Sequence, residues 1–206
     1  MNISESEIIL ASASPRRREL LEQVGLDFEV IPSKGSEVIR ETEPDKIVMQ
    51  LSGDKAKEVA RIIRERKRTD AVVIGADTIV VNDGRILGKP ADGQDAFNMI
   101  SGLRNGCHYV YTGVTIIYKD ICRSFAEKTQ VRVCDMSDSE IWEYIGTGEC
   151  MDKAGAYGIQ GRFAEYVTGI DGDYNNVVGL PVARLMSELK DILKNQLRSE
   201  PCREGV

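Results

Sequence analysis

Histidine is almost absent. His108 is the only one in 206 residues, which excludes a multi-histidine metal centre and leaves any Ser-His or Cys-His pair a single candidate base. Cys107 precedes it, but neighbours on a strand point to opposite faces, so the two form no dyad. Cysteine is sparse as well: Cys107, Cys122, Cys134, Cys150 and Cys202 are odd in number and include no C-x-x-C pair, which argues for free thiols against a disulfide framework or a structural zinc site. Long apolar runs are missing. Ala71–Ile74 and Ile116–Ile117 fall far short of the roughly 18–20 residues that cross a bilayer, and the acidic segment Met1–Glu7 has no basic leader region, so a cytoplasmic protein without signal peptide or membrane span is expected. Positive charge is not in excess either, since 27 Lys+Arg against 33 Asp+Glu leave −6. Nucleic acid and anionic membranes are therefore excluded as partners on net charge, and any bound anion must be held by a local cluster.

What is present is an ordinary globular composition with alternating strand and helix signals. Ile8–Ala11 reads as a buried strand, and Ser14-Pro15 as a helix start for residues 15–24, stopped by Gly25. Residues 28–31 alternate as a second strand, and residues 44–66 carry a helical stripe of Ile47, Leu51, Val59, Ile62 and Ile63. Residues 71–81 are β-rich, and Asn82-Asp83-Gly84 turns them into a short strand at 85–87. A helix over 92–103, paired strands over 109–118 and 129–133, and a capping box at Ser137–Glu140 follow. Six glycines between Gly155 and Gly179 predict a loop-dominated stretch, before a last helix from about Pro181 to Leu197. No repeat or linker divides the chain, so the expected fold is α/β, one domain over 1–198 with two lobes sharing one sheet, and a polar tail at 199–206.

Four segments carry chemistry. In Ser12-Ala13-Ser14-Pro15-Arg16-Arg17-Arg18, three cations crowd a helix N-terminus, where each opposes the macrodipole by roughly 0.3–1 kcal/mol. A bound anion would reverse that sign. Helical spacing sends Arg16 and Arg17 inward and leaves Arg18 in solvent, paired with Glu22; with Ser12, Ser14 and free backbone N–H groups the arginines make a phosphate cradle. In Gly75-Ala76-Asp77-Thr78, a carboxylate interrupts an apolar strand and requires a cation, a metal or a cleft. Gly84–Pro90 is not a Walker A loop, because the glycine spacing is short and Pro90 replaces the magnesium-binding Ser/Thr; Lys89 is a point charge on a rigid corner. The loop Asp152–Gly161 allows close backbone approach, and its Gln160 amide can donate to and accept from a nucleobase edge. The charge run Arg61–Arg68 reads as a solvated helix face.

In this order, Leu10–Arg17, Lys55-Ala56, Gly75–Thr78, Gly88–Pro90, Asp152–Gly161 and Val177–Pro181 resemble the Maf family of nucleoside triphosphate pyrophosphatases, a relative of the inosine triphosphate pyrophosphatase fold. The resemblance implies a twisted mixed sheet flanked by helices, with two lobes around a central cleft, and hydrolysis of the α–β phosphate bond with a divalent cation, Mg²⁺ or Mn²⁺, and it gives Asp77 the role of proton acceptor. It implies Glu37, where the family has an acidic residue, as the second carboxylate, completing the metal site with Asp77 or sharing the base role, with Ser12, Arg16, Arg17, Lys55, Thr78, Lys89 and Gln160 on the substrate. Arg16, Thr78 and Gln160 match the subgroup acting on dTTP and UTP, and a homodimer is implied as well. Gly53 inside the second helix and Arg162-Phe163 after the loop depart from the pattern and threaten base preference more than reaction type. A non-catalytic nucleotide sensor linked to cell division and septum formation is the alternative; a carboxylate sugar hydrolase leaves the arginines without purpose.

Overall fold

The computed structural model describes residues 6–199, so the predicted tail beyond Ser199 and Cys202 lie outside the described residues. Strands β1 (Ile8–Leu10), β2 (Glu29–Val30), β3 (Val72–Asn82), β4 (Arg85–Leu87), β5 (Gly106–Tyr118), β6 (Ile121–Val133) and β7 (Val167–Asp171) form one mixed sheet. Its order is β2-β1-β3-β5-β6-β7, with β4 hairpinned onto β3. The β1 pairings to β2 and β3 are parallel, whereas β3, β5, β6 and β7 pair antiparallel.

Residue alternation along β3 decides what lies on each face. Val72, Ile74, Ala76 and Val80 join a core built with α1 (Pro15–Gln23), α3 (Gly93–Leu103), α4 (Asp138–Gly146) and α6 (Val182–Ser199). Val73, Ile79 and Val81 face the other way, onto α2 (Pro44–Glu65). That helix sits unusually close. A Cβ at Gly75 would lie 2.3 Å from the Ser52 carbonyl oxygen, and one at Gly113 would lie 2.2 Å from that of Val48. Because backbone cannot give way as a side-chain tip does, Gly113→Ala is expected to push α2 off the sheet and cost about 3 kcal/mol, read as a lowered urea midpoint with an unchanged slope.

The capping box forms as predicted, with Ser137 Oγ accepting from Glu140 N and the Glu140 carboxylate accepting from Ser137 N. Gly53, which departs from the family pattern, lies in an unbroken α2 facing Thr115. Several expectations need correction. Strand β6 begins eight residues earlier than 129, at Ile121, and β7 together with the short α5 (Tyr174–Val178) occupies part of the stretch read as loop. Arg18 is exposed and forms no pair with Glu22 among the described residues. Arg68 is half-buried and bonded to Glu7 and Glu29, so the end of its charge run is not simply solvated.

His108 and Cys107 do point to opposite faces, His108 buried and Cys107 exposed. His108 Nε2 lies 2.7 Å from the Tyr157 hydroxyl, and burial pulls its pKa down to about 4. An unfolded histidine titrates near 6.5, so between those values the unfolded chain binds the extra proton. The stabilisation is complete above pH about 6.5 and is lost as pH falls toward 4, by about 3 kcal/mol for this group. Denaturant titrations of the wild type and His108→Asn across that range check it: the variant should lose this part of the slope.

Candidate active site

The site occupies a gap in the sheet. Strand β1 ends at Leu10, its last hold on β3 being Ala11 N–H to Ile74 O at 2.8 Å, and β4 does not join β3 until Val80. Between them, Gly75–Ile79 are paired with β5 alone. A cleft of about 980 Å³ opens along this free edge. Since Asp77 and Thr78 alternate, the cleft receives Asp77 from the α2 face and Thr78 from the opposite face.

On the α2 face, Lys55 Nζ lies 2.5 Å from Asp77 Oδ1 and 2.7 Å from Glu37 Oε1. Asp77 is buried, and its Oδ2 has no protein donor among the described residues. The Lys55 hydrogen bond holds the Glu37 carboxyl below its ordinary pKa against partial burial, helped by the charges of Lys55, Lys89 and Arg17. Glu37 reaches this position because α2 pins its loop. Glu58 accepts from Ser33 Oγ and from Lys34 N and Gly35 N, the latter two at 3.0 Å. Gln50 bonds Val38 O and Arg40 N, each at 2.8 Å, and Asp54 takes Arg40. Gln50, Asp54 and Glu58 recur at four-residue spacing on one helix face, a signal present in the sequence but not used to place Glu37.

On the opposite face, Arg17 is 9% exposed and every guanidinium nitrogen is engaged. Nε donates to Gly179 O at 2.8 Å, one terminal nitrogen to Ser12 Oγ at 2.9 Å and the other to Thr78 Oγ1 at 3.0 Å. Thr112 Oγ1 donates to Asn176 O at 2.9 Å. It must therefore accept from Thr78, 2.9 Å away, which fixes the order Arg17 to Thr78 to Thr112 to Asn176. Burial lowers the Arg17 pKa while the Asp77 charge raises it. Gly179 ends α5 at φ +127°, a conformation that favours glycine, and this turns its carbonyl to Arg17.

Arg16 is less enclosed, its side chain 27% exposed and 3.3 Å from Asp152. Lys89 and Gln160 are exposed residues that line the cleft. All eight residues read from the sequence as substrate-binding or catalytic, and Glu37, thus border one hollow, with carboxylates on one wall and arginines on the other. Sequence reasoning missed Asp152 as the Arg16 partner, the buried Thr112–Asn176 support and the residues that hold the Gln160 loop. Among the described residues, no three or more His, Cys, Asp or Glu side chains cluster as a metal site, and no helix is long and apolar enough to cross a membrane.

The Maf-like protein family model matches residues 7–192. A dTTP/UTP pyrophosphatase of Agathobacter rectalis is 52% identical over 200 residues, covering 91% of this chain and 98% of that one. Those of Lachnoclostridium phytofermentans and Bacillus cereus are each 48% identical, over 89% of this chain and 94% of theirs. Among solved structures, the Staphylococcus aureus Ham1 protein overlays 63% of this chain and 73% of its own with a TM-score of 0.43 and 13% identity. With the family match running from β1 into α6 and half the residues shared with relatives along nearly their whole length, the chain belongs to the Maf family.

Proposed function

We propose that the chain hydrolyses nucleoside triphosphates, dTTP and UTP foremost, to the monophosphate and pyrophosphate. The observation that carries this reading is the facing of the Lys55-bridged Asp77–Glu37 pair by Arg16, Arg17 and Lys89 across one cleft. A triphosphate carries nearly four negative charges, and two unit charges 4 Å apart attract by about 1 kcal/mol in bulk water and about 4 kcal/mol at an effective dielectric of 20, before desolvation. The cationic wall supplies grip. Asp77 supplies chemistry: Oδ1 is committed to Lys55, while Oδ2 is available to take a proton from a water aimed at the α-phosphorus. As the water oxygen bonds to that phosphorus, the bond to the bridging oxygen breaks, pyrophosphate leaves, and the proton on Asp77 passes to solvent. Lys55, 2.5 Å from Oδ1, holds the Asp77 side chain in place.

Asp77 and Glu37 are brought together by the Lys55 ammonium, which contacts one oxygen of each, and both are hard oxygen donors. That donor set suits Mg²⁺ or Mn²⁺, which binds through one or two carboxylates with substrate phosphates completing its shell. Such an ion, held by Asp77 and Glu37, would neutralise developing phosphate charge. At the far end, Gln160 reads the base. The relatives' names support dTTP and UTP, as do Arg16, Thr78 and Gln160 at the subgroup positions. The reading includes a cytoplasmic homodimer with no nucleic-acid or membrane partner, consistent with the net charge of −6.

The test is a panel of nucleotides with Mg²⁺ or Mn²⁺ and products identified by mass. UTP and dTTP should yield UMP and dTMP with pyrophosphate. Orthophosphate release would place cleavage at a different bond, and tight binding without turnover would favour the sensor.

A further inference from the structure

Gln160 sits at the tip of a four-residue turn closed by Gly161 N–H to Gly158 O at 3.1 Å. Its neighbour Ile159 is buried in the core, and the Gln160 amide itself makes no hydrogen bond among the described residues. The turn is held at both ends. The Tyr144 hydroxyl accepts from Gly158 N at 3.2 Å, and a Glu149 carboxylate oxygen accepts from Arg162 N at 2.9 Å. Packing closes what the hydrogen bonds begin: a Cβ at Gly158 would lie 2.6 Å from Lys153 Cε, and one at Gly161 would lie 2.1 Å from Glu149 Oε2. Lys153 is fixed in turn, donating to the Glu149 carbonyl and to Asp152 Oδ1, whose other oxygen faces Arg16.

We propose that Tyr144, Glu149 and Lys153 are positioning residues for base selection. They hold the backbone of the turn that carries Gln160, and Lys153 ties that turn through Asp152 to the phosphate-binding Arg16. The inference rests on the pyrophosphatase reading and extends it to residues without substrate contact. An anchored turn discriminates because it cannot shift the Gln160 amide to meet a base with mismatched donors and acceptors, whereas a loosened turn moves to suit either class. The structure thus assigns pyrimidine preference to the clamp as much as to Gln160.

The experiment compares kcat and KM for UTP and GTP in the wild type, Glu149→Ala, Glu149→Gln, Gln160→Ala and the double variant Glu149→Ala/Gln160→Ala. Losing the clamp should shrink the UTP-over-GTP ratio of kcat/KM about tenfold, the scale of one hydrogen bond, with the loss carried by KM. Glu149→Gln retains an acceptor for Arg162 N–H and should return the ratio to within about threefold of wild type. Adding Glu149→Ala to Gln160→Ala should change the ratio no further, a non-additivity that general loss of stability does not produce. Additive effects, or an undiminished ratio in Glu149→Ala, overturn the clamp. Failure of the wild type to release pyrophosphate from any nucleotide overturns the hydrolase reading instead, and is seen before any variant is compared.

Discussion

Asp77→Asn should lower kcat for pyrophosphate release from UTP by about 10²–10⁴, the range expected when a positioned base is removed. The substitution keeps the volume of the side chain, and its amide oxygen still accepts from Lys55, so the lysine is not stranded. Glu37 remains 2.7 Å from the same ammonium, which preserves one neutralising charge in the pocket. Folding should therefore persist, with circular dichroism and thermal midpoint close to wild type. Nucleotide binding should survive as well, because the cations on the other wall are untouched and both Glu37 and the amide oxygen of the substituted side chain still offer oxygen donors to the divalent cation. The signature is loss of turnover with a nearly constant KM, the pattern of an interaction made in the transition state. Retention of kcat within tenfold would remove Asp77 from the proton-accepting role and leave it as a counter-ion for Lys55.

The separate parts of this site were legible in the chain, but their meeting place was not. The charge anomaly at Arg16-Arg17-Arg18 and the lone carboxylate in an apolar strand are local facts, visible from propensity and electrostatics. The gap that joins them depends on β1 being shorter than β3 and on β4 pairing only from Val80, and strand lengths and partners are tertiary properties. Strand β6 was half missed for a similar reason. Ser124, Glu127 and Lys128 fall between the two strands expected at 109–118 and 129–133, yet they pair opposite Thr115, Thr112 and Tyr111 of β5. Cross-strand pairing overrode weak intrinsic preference. Gly75 and Gly113 could be read as generic small residues; only the position of α2 against the sheet shows that backbone fills the space a side chain would need.

Arg17→Lys and Arg16→Lys, adjacent and chemically alike, should behave quite differently. Arg17 divides three donors among acceptors on β3, α5 and the β1–α1 turn, namely Thr78 Oγ1, Gly179 O and Ser12 Oγ. A lysine ammonium carries its donors on one atom and cannot span those three acceptors at once. It would leave buried oxygens unpaired and a strongly hydrated charge in a dry site, a combination expected to cost about 2–4 kcal/mol in stability. Thr78 Oγ1 would lose the donor it accepts from while still donating to Thr112, so the wall facing Asp77 would slacken. A drop in kcat/KM of about a hundredfold corresponds to roughly 2.7 kcal/mol of transition-state binding. Arg16, half-exposed with a single contact to Asp152 at 3.3 Å, belongs to the class of surface pairs contributing about 0–1 kcal/mol. Its lysine variant should unfold at nearly the wild-type urea concentration and show its deficit as a raised KM. Equal destabilisation of the two variants would mean that the Arg17 network is not what holds β3, α5 and the β1–α1 turn together on this wall of the cleft.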